Sequence, residues 1–392
     1  MKIGIYANWS VVSCKDGFYI PSVHAKYLAE FCKFSKRTVL ISNSYSEENY
    51  LFSKEQYEYV PYRKVKLVEL PSFKNYFTAA KFFFVILKSF SVFVKDVDFI
   101  YVRTPEPFSW ILPFLAPKIR INYHFTSNPF QVIFSQESPF FKKALKSILF
   151  YPEFKLITLA AWFKECSANG SSVIRNVPLY LRRKIKVLVE STTNYSEVEI
   201  SRKIINKDFT EKKFLIVSRI QNGKGIEDVI KCFAEIKSKY NFNFLLTIVG
   251  DGPYRDVISK LTEELKMQDC VEFRGFVNNG PELDRIYIEH NFYINASKSE
   301  TGPRTLIEAM SHGLYCISSD VGYVKTVLSD DSGNIAGDIF PPTNSDALYY
   351  KLLYAVSNNS ERYESCSKLS VALSNRYTLN SFVRSVIEQK HG

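Results

Sequence analysis

Twelve short runs rich in Val, Ile, Leu and Phe recur along the chain, separated by longer segments of helical character, and this alternation restricts what it can fold into. In the first half the runs fall at residues 2–7, 38–42, 66–70, 99–103, 121–124, 156–159 and 186–190. In the second half they fall at 214–218, 245–249, 271–275, 292–295 and 315–318. Runs that are apolar throughout suit strands buried on both faces of a parallel sheet. Parallel strands need crossover connections, and the intervening helices supply them with a right-handed sense. The fold class predicted is therefore α/β.

A length of 392 residues suggests two to three domains. Charge divides the chain more sharply. Residues 1–200 carry 27 Lys and Arg against 16 Asp and Glu, whereas residues 201–392 carry 24 of each, so the whole net charge of +11 belongs to the first half. The polar stretch at 196–212 lies at this break and reads as a linker between a first domain, 1–195, and a second, 213–372. The last segment, 373–392, carries apolar residues at helical spacing and can cap the second domain or cross back to the first.

The chain has no run of about 18–20 uncharged apolar residues, so no membrane-spanning helix is expected. Met1-Lys2-Ile3 enters a strand pattern at once, which leaves no room for a signal peptide. Seven scattered cysteines without a C-x-x-C pair read as reduced thiols, so the expected location is cytoplasmic.

Three strand-to-helix turns in the second half carry the chemistry. Ser218-Arg219 and Lys224-Gly225 place two cations at the carboxyl edge of a parallel sheet, where open α/β sheets bind ligands. Two cations converging on a diphosphate stabilise its charge as it departs. Val249-Gly250-Asp251-Gly252-Pro253 is a second such turn and reads alone as a tight connection. The third is Glu300-Thr301-Gly302-Pro303-Arg304-Thr305, followed by Glu308 and a helix stop at His312-Gly313. Pro303 suits a first helical position, Gly302 admits a ligand close to the backbone, and the N–H groups of Arg304 and Thr305 would face an anion.

In this order, together with Val271-Glu272-Phe273-Arg274-Gly275-Phe276, these segments resemble the retaining family 4 glycosyltransferases over roughly residues 212–345. The resemblance implies the GT-B fold, two facing Rossmann-like domains with a cleft between them. It also implies a nucleotide-sugar donor as substrate, with no cofactor and no metal. Arg219 and Lys224 would hold the donor diphosphate and Glu308 the ribose. Phe276 and Val277 would lie against the base, and Glu300, with Gly302, Arg304 and Thr305, would face the sugar and phosphate. Retention in this family is usually explained by same-face attack assisted by the leaving phosphate. The chain departs from the family pattern at Glu300-Thr301-Gly302-Pro303 and at Gly322-Tyr323-Val324-Lys325-Thr326, where an acidic residue is missing.

Over residues 1–200 the resemblance is looser. Asp16-Gly17 resembles the glycine loop beside the donor phosphates, and His124, at a strand end, resembles the His that faces the sugar. Glu300 and His124 are thus the expected catalytic pair. Arg103 ends another strand and is an acceptor-side candidate, while His24 reads as structural. Asp96-Val97-Asp98 reads as a connection rather than a metal ligand.

The basic excess points to an anionic partner. Lys142, Lys143 and Lys146 interleave with Phe140, Phe141, Leu145 and Ile148, which suits an interfacial helix on an anionic membrane. The run around Lys81, Lys88 and Lys95 reads instead as a core helix with its lysines in water. No nucleic-acid module signature is present, so nucleic acid is not an expected partner. The expected acceptor is a glycan, lipid-linked, in surface polysaccharide (O-antigen or capsule) assembly at the inner face of the cell membrane. The alternatives are a nucleotide-sugar epimerase of the same fold and a non-catalytic nucleotide-sugar-binding protein. A dinucleotide dehydrogenase is disfavoured, because no G-x-G-x-x-G follows the first strand.

Overall fold

The computed structural model describes the chain except residues 49, 74, 136–137, 176, 194–207, 301, 359–360 and 390–392. It separates into two compact units, Met1–Val189 with Asn380–Gly392, and Glu190–Leu379. Most of the expected linker, 196–207, lies outside the described residues. Its last part is not loose, since Phe209 is buried in the core of the second unit.

In the first unit a parallel sheet is built from β1 (Lys2–Tyr6), β4 (Arg37–Ser46), β6 (Val65–Leu70), β7 (Phe99–Thr104), β8 (Arg120–Phe125), β9 (Glu165–Asn169) and β10 (Lys186–Leu188). The order is β10-β9-β8-β7-β1-β4, with β6 beyond β4. A small antiparallel extension joins β4 through β2 (Val11–Ser13), β3 (Gly17–Pro21) and β5 (Tyr57–Pro61). These three short strands escaped the sequence reading because their polar and aromatic residues do not form apolar runs.

One expected strand is wrong. Residues 156–159 lie within the helix Phe140–Trp162. A short apolar run cannot by itself distinguish a strand from a buried helix face. The true strand, β9, has the sequence ECSAN and offers no aliphatic signal. It is buried because its polar groups find partners: Arg120 chelates Glu165 at 2.8 and 3.1 Å, and Ser167 Oγ donates to Asn122 Oδ1 at 2.9 Å.

The helix α1 (Ser22–Lys33) packs beside β3–β5, and His24 stacks on Trp9 with ring centroids 5.1 Å apart. The helical segment containing α2 (Phe83–Phe93) enters the core as expected, with Lys81, Lys88 and Lys95 exposed. Only Ile86, Phe90 and Phe93 of α2 are buried, whereas Phe84 is 81% exposed. Moreover, Tyr76–Asp96 is long and apolar enough to cross a membrane by length and composition alone, although residues of this segment also pack against β6 and enter the core. The counting of uninterrupted apolar residues missed it because lysines break the run.

The terminal helix α5 (Leu379–Ile387; α3 and α4 are defined below) belongs from Asn380 onward to the first unit. Asn380 Nδ2 donates to Glu30 Oε1 at 2.8 Å, and Phe382 sits edge-on to Tyr27 and His124. The second unit holds six parallel strands in the order β13-β12-β11-β14-β15-β16. They are β11 (Lys213–Val217), β12 (Leu245–Val249), β13 (Val271–Gly275), β14 (Phe292–Asn295), β15 (Tyr315–Ser319) and β16 (Gly337–Phe340).

Candidate functional site

In the second sheet β11 has β12 on one side and β14 on the other, so the chain leaves the carboxyl ends of β11 and β14 in opposite directions. Such a switch point opens a crevice at the sheet edge. A cavity of about 320 Å³ lies there, lined by Ser218, Arg219, Lys224, Asn295, Glu300, Gly302, Arg304 and Thr305 among others. Six of the sequence-predicted residues, Arg219, Lys224, Glu300, Gly302, Arg304 and Thr305, thus meet in one place.

The loops are fixed by their backbones. Ile220 N–H donates to Asp251 O at 3.0 Å, and Lys298 N–H donates to Gly223 O at 2.8 Å. Gly250, at φ +133°, leaves no room for a side chain, because a Cβ there would lie 1.9 Å from Ser218 O. The Gly250-Asp251-Gly252 turn therefore holds the Arg219 loop in place.

Lys224 Nζ lies 2.5 Å from Glu300 Oε1, with the two side chains only 18% and 20% exposed. The cation expected to meet a diphosphate is paired with the carboxylate expected to meet the sugar. Arg219 stands exposed at the rim.

The start of α4 (Arg304–Ser311) differs from expectation. Pro303 precedes the helix instead of opening it, and Arg304 N–H already donates to Gly302 O at 3.0 Å. That donor is therefore engaged. The Thr305 hydroxyl shares a hydrogen bond of 2.7 Å with Tyr293 OH. Gly313, at φ +70°, ends the helix as its sequence predicts.

Glu308 does not line the cavity. It is buried; its Oε1 accepts from Asn279 Nδ2 at 2.7 Å and from the Thr192 hydroxyl, and its Oε2 accepts from Tyr287 OH at 3.0 Å. Asn279 follows the loop of Phe276 and Val277, so this bond ties that loop to α4. Phe276 is 57% exposed and Val277 half-buried, both outside the cavity lining. Tyr287, Tyr293, Asn279 and Thr192 carried no signal in the sequence, since each reaches α4 from a separate element. Burial raises the hydroxyl pKa of both Tyr287 and Tyr293 well above the ordinary value, keeping them as hydrogen-bond donors.

Two first-unit expectations are corrected. His124 is fully buried rather than facing a ligand: its Nδ1 lies 2.8 Å from Ser167 Oγ, and its ring packs on Tyr101 and Phe382. The strand that carries it runs inside the sheet, with α5 covering that face. Gly17 lies in β3, where a Cβ would meet Val60 O at 2.4 Å, so its small size admits the neighbouring strand and not a phosphate.

Arg103 is half-buried at the end of β7, near Glu106. Lys142, Lys143 and Lys146 lie on α3 (Phe140–Trp162). Lys142 points to solvent, Lys143 donates to Phe134 O at 2.9 Å, and Lys146 lines a cavity of the first unit. Among the described residues no group of three His, Cys, Asp or Glu side chains is placed to hold a metal. Asp96 is instead paired with Lys66 at 3.0 Å and Arg37 at 3.5 Å.

Two Rossmann-like domains, each a parallel sheet with crossover helices, make up the GT-B fold. Residues 197–370 match the family model described as "Glycosyl transferases group 1". HepE from Anabaena, solved with UDP and glucose, is 14% identical with a TM-score of 0.66, covering 99% of this chain and 98% of its own. WaaG, a glycosyltransferase involved in lipopolysaccharide biosynthesis, is 14% identical with a TM-score of 0.65, covering 99% and 100%. At these identities the likeness shows the fold. The alpha-monoglucosyldiacylglycerol synthase of Streptococcus pneumoniae is 32% identical over 121 residues, 31% of this chain and 27% of that protein. The chain matches about a quarter to a half of the length of its curated relatives.

Proposed function

We propose that this protein is a retaining, metal-independent glycosyltransferase that moves a sugar from a nucleotide donor to a lipid-linked glycan. The observation that carries the reading is the second-unit cavity, where Arg219, Lys224, Arg304 and Glu300 converge at the switch point of the sheet. Cations at this edge suit a diphosphate, and the carboxylate beside them suits sugar hydroxyls. In this reading the diphosphate displaces Glu300 from Lys224, and Glu300 turns to the sugar. The ribose takes the place of Asn279 on Glu308.

A lipid-linked acceptor is supported by the first unit. Its helix α3 exposes Phe140, Phe141, Leu145 and Ile148 beside Lys142, with Phe141 85% exposed. Apolar surface of this kind marks an interaction site, and with basic residues it suits an anionic leaflet. The names of WaaG and of the diacylglycerol glycolipid synthase fit a role in lipopolysaccharide or glycolipid assembly, and we propose that it takes place at the inner membrane face.

The test is a thermal-shift series with UDP, GDP, ADP and dTDP and their sugars on wild type and Arg219→Ala. One nucleotide class should stabilise the wild type by roughly 3–4 kcal/mol when in large excess over its Kd. The shift should shrink in the variant, and transfer should survive EDTA. No shift with any nucleotide would overturn the donor site, and loss of transfer in EDTA would overturn metal independence.

A further inference from the structure

Four successive polar residues, Glu190-Ser191-Thr192-Thr193, are buried just beyond the end of β10. They open the second unit: the chain enters it at Glu190 and leaves it after Leu379. The two passages are fastened to each other. Leu379 N–H donates to Thr193 O at 2.8 Å, and the Thr193 hydroxyl lies 3.4 Å from Tyr377 O. The Ser191 and Thr193 hydroxyls share a hydrogen bond of 2.7 Å, and Ser191 Oγ accepts Thr193 N–H at 3.2 Å. Buried hydroxyls need partners, and these bonds account for Ser191 and Thr193.

Thr192, between them, is committed elsewhere. Its hydroxyl donates to Glu308 Oε1, 116 residues further along the chain. Two other bonds reach that carboxylate. Tyr287 OH donates to Oε2 at 3.0 Å, and the Tyr287 ring is itself stacked on His312 with centroids 5.1 Å apart. Asn279 Nδ2 donates to Oε1 at 2.7 Å. Thr192, Tyr287 and Glu308 are buried, whereas Asn279 is half-buried on the loop after β13. Of these three donors, Asn279 is therefore the one that an incoming ligand can replace. Thr192 and Tyr287 hold one oxygen each, which fixes a terminal torsion that is otherwise broad in glutamate. The acceptor is thus aimed before any ligand arrives.

We propose that Thr192 is a positioning residue of the donor site. Its hydroxyl aims Glu308 at the ribose hydroxyls, so the preference for those hydroxyls is set in the segment by which the chain enters the second unit. The proposal rests on the nucleotide reading above, in which ribose replaces Asn279 on Glu308. Removing the Thr192 hydroxyl takes a buried donor from Oε1, and the bond to Asn279 that the ribose must replace becomes harder to give up. A nucleotide without ribose hydroxyls makes no use of Glu308 and is indifferent to its direction.

The test uses the whole chain and titration calorimetry with UDP, GDP, ADP and dTDP, each beside its 2′,3′-dideoxy counterpart. In the pair that binds, wild type should favour the hydroxyl-bearing member by about tenfold or more. Thr192→Val and Thr192→Ala should each lower affinity for that member by about tenfold, and affinity for the dideoxy member by less than about twofold. The retained dideoxy binding shows that the variants are folded. Thr192→Ser, which keeps the hydroxyl, should bind both members as wild type does. The proposal is overturned if wild type has no preference within the pair, if Thr192→Val and Thr192→Ala keep that preference, or if Thr192→Ser loses it. It is overturned equally if the two members lose affinity together, as a purely structural role would have it. Failure of the donor reading looks different: wild type then binds no member of any pair, and both readings fall.

Discussion

Lys224 and Glu300 form a salt bridge of 2.5 Å across the mouth of the loops that follow β11 and β14. The pair is largely shielded from solvent, so its Coulomb energy is greater than that of an exposed pair. A nucleoside diphosphate entering the cavity competes with Glu300 for the lysine. Glu300→Gln should therefore tighten binding of the diphosphate alone, on the order of tenfold, because Lys224 no longer has to be released. The same variant should lose sugar transfer. Titration calorimetry with the diphosphate selected by the thermal-shift series checks this, and unchanged or weaker binding in Glu300→Gln would contradict the competition.

The parts of the fold and site that were legible in the sequence are those in which local chemistry and tertiary role agree. β11, β12, β14 and β15 announce themselves as apolar runs because both of their faces are buried. Arg219, Lys224, Glu300 and Arg304 announce themselves because cations and a carboxylate at strand-to-helix turns have few structural uses. β9 stayed hidden since Glu165 and Ser167 are buried only by virtue of Arg120 and Asn122 on the neighbouring strand. Glu106 stayed hidden for the same reason: its burial depends on Asn8, almost a hundred residues away. His124 misled because a strand end is polar in appearance whether it meets solvent or, as here, a covering helix.

Asp338 on β16 is buried away from the cavity and is reached by two partly exposed cations and one buried hydroxyl. Its Oδ1 accepts from Lys351 Nζ at 2.8 Å and from Arg362 at 2.9 Å, while Tyr315 OH donates to Oδ2 at 2.8 Å. Burial alone would raise the carboxyl's pKa, but these three partners outweigh it and leave it lowered. Asp338→Asn should cost about 1–3 kcal/mol, since it weakens charged hydrogen bonds to a buried carboxylate whose cationic partners remain partly solvated. A lowered carboxylate stabilises the fold above its unfolded pKa and loses that contribution as pH falls. The difference between wild type and variant in denaturant unfolding should therefore be full at pH 7 and shrink below about pH 4. A difference that stays constant down to pH 2 would rule out the charged form as its source.

The exposed face of α3 predicts a measurable affinity for lipid. Each large apolar side chain buried contributes about 1.5–3 kcal/mol, and each lysine near an anionic leaflet on the order of 1 kcal/mol. Flotation with phosphatidylglycerol-containing vesicles should show binding that weakens with salt. Phe141→Ser combined with Ile148→Ser should lower the bound fraction at least about tenfold without changing nucleotide binding. Equal flotation of the double variant would mean that lipid contacts this protein elsewhere, for example at the exposed Phe84 of α2.

Glu106 should leave a signature in the pH dependence of stability. Its carboxyl is raised from an ordinary 4.5 to about 8, chiefly by burial, with Asn8 and Arg103 opposing the shift. Between those two values the folded chain holds a proton that the unfolded chain has lost, so stability falls as pH rises through this window and levels off above about 8. Glu153, raised by burial as well, adds to the same slope. Glu106→Gln removes the first contribution and leaves the second, so its melting temperature should decline less steeply than wild type between pH 5 and 8, by an amount equivalent to a few kcal/mol at the upper end. The buried hydroxyl of Tyr6, which donates to Pro107 O at 2.7 Å, is held neutral by its burial and by these two carboxyls, so it adds no titration in this range. Scanning calorimetry across the window decides the matter: parallel curves for variant and wild type would show that Glu106 is already ionised in the folded protein.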